Sequence, residues 1–144
     1  RNIMKLALLA VAVALLGLPA ASAKADSLTP FRTPSGNIHC MLIDGDEGMI
    51  VECEMRDIAS FTLPLRRPAD CDLDWGNRFA LAAEGKPVMG CYGDTLQDNS
   101  SRVLQYGQSI GNELLNCISR QSGLTCENQS GHGFLLSKAK QKFY

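Results

Sequence analysis

Aromatic side chains are scarce in this sequence, with a single tryptophan among them, and there are only two histidines. It contains no phosphate-binding loop and no histidine pair at metal-ligand spacing. The usual signatures of nucleotide binders and zinc proteases are therefore missing. None of the six cysteines stands in a C-x-x-C pair, which removes the common mark of a zinc ribbon or a thioredoxin-type redox site. A basic excess is lacking too: 14 Lys and Arg stand against 15 Asp and Glu. A protein that neutralises nucleic-acid phosphates needs a basic stripe, so nucleic acid is not an expected partner. Beyond Ala23 no segment keeps a 3.6-residue apolar period for more than about two turns, and no long amphipathic helix is expected.

One long apolar run is present, from Leu6 to Leu18, preceded by Arg1 and Lys5 and followed by Pro19 and Ala21-Ser22-Ala23. A basic start, a short apolar stretch and small residues at a cleavage point read as a secretory signal peptide over residues 1–23, with Met4 as the expected initiator. The run falls short of the roughly 20 residues that a spanning helix needs, so no stable membrane span is expected after cleavage. No cysteine stands at the cleavage point, which argues against a lipid anchor. Residues 24–144 suffice for a single domain. All 15 acidic residues but only 12 of the 14 basic ones lie there, giving a formal charge of −3.

An even cysteine count in an exported chain of this size reads as a disulfide framework. Two stretches share one grammar: Ile38-His39-Cys40 with Val51-Glu52-Cys53-Glu54, and Leu115 to Cys117 with Leu124 to Cys126. Each cysteine follows an apolar residue two places back, as on one face of a strand. Cysteines facing each other across antiparallel arms predict Cys40–Cys53 and Cys117–Cys126, which leaves Cys71–Cys91 by elimination.

Taken in order, residues 26–34 form an extended lead-in with Phe31 as core anchor. Period-two alternation over 37–43 and 49–55, around the glycine-containing segment 44–48, predicts a first hairpin. Residues 56–70 are an irregular connection held by Phe61 and Leu63. A second hairpin is expected over 78–83 and 87–92, with Phe79, Leu81 and Ala83 on one face, and 93–102 is a loop. A short strand follows at 103–106, then a third hairpin over 114–119 and 124–128 and a last strand at 134–136. Ser137 is positioned to cap a short C-terminal helix over 138–143. The expected fold is an all-β sandwich or small barrel of short antiparallel hairpins stapled by three disulfides.

Phe31-x-Thr-Pro-Ser-Gly-Asn-Ile-x-Cys40, Cys71-Asp-Leu-Asp-Trp-Gly76, Tyr106-Gly107, Gly123-Leu-Thr-Cys-Glu-Asn128 and Gly131-His-Gly-Phe134 occur in that order. Together they resemble a family of exported bacterial six-cysteine domains of unknown function. The resemblance implies a secreted or periplasmic single domain and carries over no activity.

Candidate chemistry is thin. Asp70, Asp72 and Asp74 alternate ahead of Gly76, and several hard oxygens are what calcium prefers. The EF-hand pattern fails, because Trp75 and Leu81 stand where it needs glycine and glutamate. Asp44, Asp46 and Glu47 read as turn residues. His132 sits between two glycines, and a hydrolase built on it needs a carboxylate and a nucleophile within hydrogen-bond reach. Glu127, Asn128, Ser130 and Ser137 are near in sequence. His39 is expected to face solvent. Trp75, Tyr92 and Tyr106 could line a recognition surface, although such aromatics usually plug a core. Arg66-Arg67 and Lys138, Lys140 and Lys142 read as solvated basic spots. The reading that follows is a non-enzymatic exported module that recognises a protein or other envelope component, with no cofactor. A small hydrolase using His132 and a calcium-stabilised module using Asp70, Asp72 and Asp74 are the alternatives.

Overall fold

Stretches of this chain in which polar and apolar residues alternate form strands that turn one side chain in two toward a common core. The computed structural model describes residues 17, 19–22, 25–60 and 62–144. The expected leader, apart from five of its residues, and Phe61 lie outside these. Among the described residues there is no helix. Eleven strands occur among the described residues, in the order β1 (Ser27–Arg32), β2 (Ile38–Gly45), β3 (Gly48–Met55), β4 (Arg78–Ala82), β5 (Val88–Met89), β6 (Arg102–Val103), β7 (Ser109–Gly111), β8 (Leu115–Arg120), β9 (Gly123–Asn128), β10 (Gly133–Leu136) and β11 (Gln141–Phe143).

They build two sheets, one in the order β5-β4-β3-β2-β1-β6 and the other β11-β10-β9-β8-β7. All pairings are antiparallel except β1 with β6, which run parallel over Phe31–Arg32. The sheets share one core. Phe31, Cys40, Leu42, Val51, Cys53, Phe79 and Leu81 from the first meet Leu115, Cys117, Leu124, Cys126, Phe134 and Leu136 from the second. Each fully buried large apolar side chain contributes about 1.5–3 kcal/mol relative to leaving it exposed. Phe79 and Phe143 meet edge to face across the sheets, with ring centroids 6.2 Å apart. The fold is thus the expected all-β sandwich.

All three expected disulfides are present. Cys40 lies directly opposite Cys53 in the β2–β3 register, and Cys117 opposite Cys126 in β8–β9. Their Cα atoms are 4.1 and 4.0 Å apart, as in the closer, non-hydrogen-bonded class of antiparallel pairs. Both bridges sit in the core, whereas Cys71–Cys91 joins two irregular segments and leaves Cys91 exposed. That loop is also fixed by a bridge between Asp74 and Tyr92.

Several expectations need correction. Residues 138–143 are not helical. The Ser137 hydroxyl does accept the Lys140 N–H at 3.1 Å, as a cap would, but the chain then turns into β11. Strand pairing of Gln141–Phe143 with β10 replaces the helix. Leu63 does not hold the 56–70 connection, being 37% exposed; Ile58 packs on the core instead. The Ala59 N–H also ties that connection to the second sheet through Lys138 O. The short strand foreseen at 103–106 is Arg102–Val103, and β7 is a strand that sequence periodicity does not reveal. At Gly123 the backbone has φ 135°, and an added Cβ would stand 2.5 Å from Leu136 O, so only glycine fits the β8–β9 turn.

Candidate functional site

The outer face of the first sheet carries a row of four polar side chains that the strand registers place side by side. Arg32 is opposite His39, His39 opposite Glu54, and Glu54 opposite Arg78. They project away from the core, because their neighbours Phe31, Cys40, Cys53 and Phe79 point into it. Yet His39, Glu54 and Arg78 are buried. The segment 93–101, which connects β5 at one edge to β6 at the other, crosses over them as a strap.

Each member of the row grips that strap. Arg78 donates to the carbonyl (3.2 Å) and the carboxylate (3.1 Å) of Asp94. Glu54 accepts from the Thr95 hydroxyl, from Gln97 Nε2 at 3.2 Å and from the Leu96 N–H at 2.6 Å. His39 Nδ1 accepts the Asp98 N–H at 3.1 Å, so the ring proton sits on Nε2 and donates to Gly36 O at 3.0 Å. Arg32 Nε donates to Ser101 O at 3.1 Å. Within the strap, two hydrogen bonds from Ser100 hold the Asp98 carboxyl below its ordinary pKa.

The charges are matched as well as tethered. Arg78 forms ion pairs with Glu52 (3.2 Å), Glu54 (3.4 Å) and Asp94 (3.1 Å). Only Glu54 is as deeply buried as the arginine, so that pair carries most of the electrostatic weight; the others are screened by water. The Arg78 guanidinium also lies over the Tyr92 ring, 4.1 Å from its centroid. Beside it a hollow of about 550 Å³ opens between Asp74, Trp75, Asn77, Tyr92 and Thr95. The Tyr92 hydroxyl donates to Asn77 Oδ1. Burial and the nearby Glu54 charge raise the Tyr92 pKa above 10.0. A group with a raised folded-state pKa contributes stability that is complete below its unfolded value and lost as pH rises through the folded one. Denaturant titrations therefore show stability falling above pH 10 in the wild type and falling less in Tyr92→Phe; equal slopes would remove Tyr92 as the cause.

The residues singled out by sequence distribute differently. His39 is not on a solvated face: its parity is outward as expected, but the strap covers it. Trp75 and Tyr92 share the hollow, while Tyr106 stands elsewhere, 48% exposed, so the three aromatics form no common surface. His132 lies in a separate apolar hollow of about 400 Å³ with Pro64, Leu65, Pro87 and Tyr144. Its ring nitrogen Nδ1 approaches Tyr144 O at 3.3 Å. Asn128 Oδ1 shapes this turn by accepting the Ser130 and His132 N–H groups, while its Nδ2 ties the turn to Ala82 O of β4 and Gly85 O of the β4–β5 turn. Among the described residues no three His, Cys, Asp or Glu side chains gather in a way that could hold a metal ion, Asp70, Asp72 and Asp74 included. Arg67 instead braces that acidic segment through the carbonyls of Cys71 and Leu73. Asp46 and Glu47 sit exposed at the β2–β3 turn.

Glu54, Arg78, Arg32 and the strap are what sequence reasoning missed. The available signal was charge at outward strand positions beside buried ones, in Glu54 after Cys53 and Arg78 before Phe79. Among the described residues no helix is long and apolar enough to cross a membrane. No curated protein and no solved structure matches the chain. The model of the family described as "Family of unknown function (DUF6636)" matches residues 7–144, and the chain belongs to that family.

Proposed function

We propose that this chain is exported through a cleaved leader and works outside the cytoplasm as a disulfide-locked recognition domain with no catalysis of its own. The observation that carries the recognition reading is the polar row. Its buried carboxylate and imidazole are bonded to main chain and strap, so they act as scaffold and are not free for proton transfer. A general base needs the proton it removes within hydrogen-bond reach, and His39 has both ring nitrogens occupied. Export is supported by the pairing of all six cysteines, since disulfides persist in oxidising compartments.

The test begins with residues 1–23 fused to alkaline phosphatase, an enzyme active only once its own disulfides have formed outside the cytoplasm. Phosphatase activity is expected, with loss when Leu9 and Leu15 are replaced by Arg. The full chain should be recovered from the periplasm or medium oxidised and beginning at Lys24. Recovery of a reduced, full-length chain in the cytoplasm would overturn the export reading. Saturable retention of the oxidised chain on its own envelope fraction is the matching expectation for recognition, and failure to be retained counts against it.

A further inference from the structure

The turns of the two sheets sort by charge. At one end lie the β2–β3, β4–β5 and β7–β8 turns, with Asp46, Glu47, Glu84 and Glu113 against Lys86. At the other end the 33–37 turn, the β8–β9 turn and the β10–β11 turn meet around a hollow of about 370 Å³. Arg120 and Lys138 stand at its wall. Its floor is apolar, made by Ile38, Leu124 and Leu136 from both sheets.

The polar groups there divide into two sets. Thr33, Ser35 and Asn37 are engaged in their own turn: Asn37 Oδ1 accepts the Asp57 N–H at 2.8 Å, and its Nδ2 donates to Asp57 O at 3.0 Å. The side chains of Asp57, Tyr106, Arg120, Gln121 and Lys138 make no hydrogen bond or ion pair among the described residues. They thus offer two cations, one carboxylate, one amide and one phenol around a greasy floor, within the size range of small-molecule sites of about 300–1,000 Å³.

We propose that this hollow binds an acidic saccharide, a glycan bearing uronate-type carboxylates, and so supplies the ligand class of the recognition reading on which it rests. A sugar acid needs the mixture found here. Its carboxylate pairs with Arg120 and Lys138 through charge-assisted hydrogen bonds. Its hydroxyls both donate and accept, which suits Asp57 and Gln121. The C–H face of a pyranose packs on the exposed Tyr106 ring, whose π-face is electron-rich. A free phosphate group would gain nothing from the apolar floor or the aromatic ring. An acidic peptide brings carboxylates but neither the ring of hydroxyls that Asp57 and Gln121 suit nor the flat C–H face that packs on Tyr106.

The oxidised chain from Lys24 onward, which contains every strand of both sheets, is titrated by two-dimensional amide NMR. The probes are trigalacturonate, the neutral galactose trisaccharide, inorganic phosphate and hexaglutamate. Trigalacturonate is expected to give saturable shifts at residues 33–37, 106–107, 120–123 and 136–138, with the neutral sugar about tenfold weaker or worse. Arg120→Ala with Lys138→Ala should weaken trigalacturonate by about tenfold and leave shifts elsewhere unchanged, since both side chains lack internal partners. Tyr106→Ala should weaken acidic and neutral sugars alike. Absence of saturable shifts with trigalacturonate, shifts elsewhere only, or equal binding of phosphate or hexaglutamate would overturn the proposal. If the chain ignores the sugar yet is retained by its envelope fraction, the site fails and the recognition reading stands. New reducing ends appearing in the trigalacturonate sample would do the reverse, leaving a site and removing the non-catalytic reading.

Discussion

Glu54→Ala lowers the free energy of unfolding by about 3–5 kcal/mol, the range seen when one partner of a buried ion pair is removed and the other stays buried. Arg78 is the partner left behind, with 6% of its side chain exposed. Its remaining carboxylates, on Glu52 and Asp94, are 35% and 80% exposed and largely screened. The same substitution removes the acceptor for the Leu96 N–H, the Thr95 hydroxyl and Gln97. The strap therefore loosens as well as the core, and hydrogen exchange at Leu96 and Asp98 should accelerate more than at Cys117 or Cys126. Arg78→Ala is expected to cost a comparable amount, because it strands Glu54 in turn. Replacing both residues by leucine should cost clearly less than the two single substitutions added together, since the penalty arises from the unpaired charge and not from the loss of the pair itself. Urea unfolding of the wild type and the three variants measures this. A Glu54→Ala cost under about 1 kcal/mol would show the pair to be solvated like a surface ion pair.

The strands and the bridges were readable because period two and cysteine spacing are local signals. Ile38, Cys40 and Leu42 identify one face of β2, and Val51, Cys53 and Met55 the matching face of β3, whatever the rest of the chain does. The strap was not readable, because its contacts are distant in sequence: Thr95 to Glu54 spans 41 residues and Asp98 to His39 spans 59. Residues 93–101 have no period and are rich in turn formers, so they read as an ordinary loop. An outward His39 accordingly read as solvated, and local pattern has no means of showing that another segment lies over it. The C-terminal error has a similar cause. The Ser137–Lys140 hydrogen bond satisfies a cap and a tight turn equally well, and only the free edge of β10 decides that a strand follows. The hollow proposed for sugar binding gathers residues from four separate turns. Tyr106 was legible as an aromatic of interest, but its neighbours Arg120 and Lys138 become neighbours only once both sheets are stacked.

Replacing Cys40 and Cys53 together by alanine is expected to cost about 2–5 kcal/mol, as removal of a native disulfide from a small domain does. Loop closure alone would rank the bridges differently, because Cys71–Cys91 spans 20 residues against 13 for Cys40–Cys53 and 9 for Cys117–Cys126. A longer ring constrains the unfolded chain more, but only logarithmically, so those differences amount to a few tenths of a kcal/mol. Burial separates the bridges more strongly. The four sulfurs of Cys40–Cys53 and Cys117–Cys126 lie between the sheets among Phe31, Phe79 and Leu124, and alanine there also leaves unfilled volume in a dense core. Cys71–Cys91 stands outside that core with Cys91 exposed, and its loop keeps the Asp74–Tyr92 bridge when the sulfurs are gone. The Cys71→Ala with Cys91→Ala variant should therefore lose less global stability and show its effect as faster hydrogen exchange around residues 70–76 and 90–93. Under limiting reductant in native buffer, mass spectrometry should find Cys71–Cys91 opened first, since a thiolate can reach Cys91 without unfolding the sandwich. With net stabilities of small domains near 5–15 kcal/mol, losing both core bridges should leave the chain largely unfolded at ordinary temperature. A doubly reduced core that still unfolds cooperatively in urea would show that sheet packing alone suffices, and would move the origin of this fold's stability from its staples to its side chains.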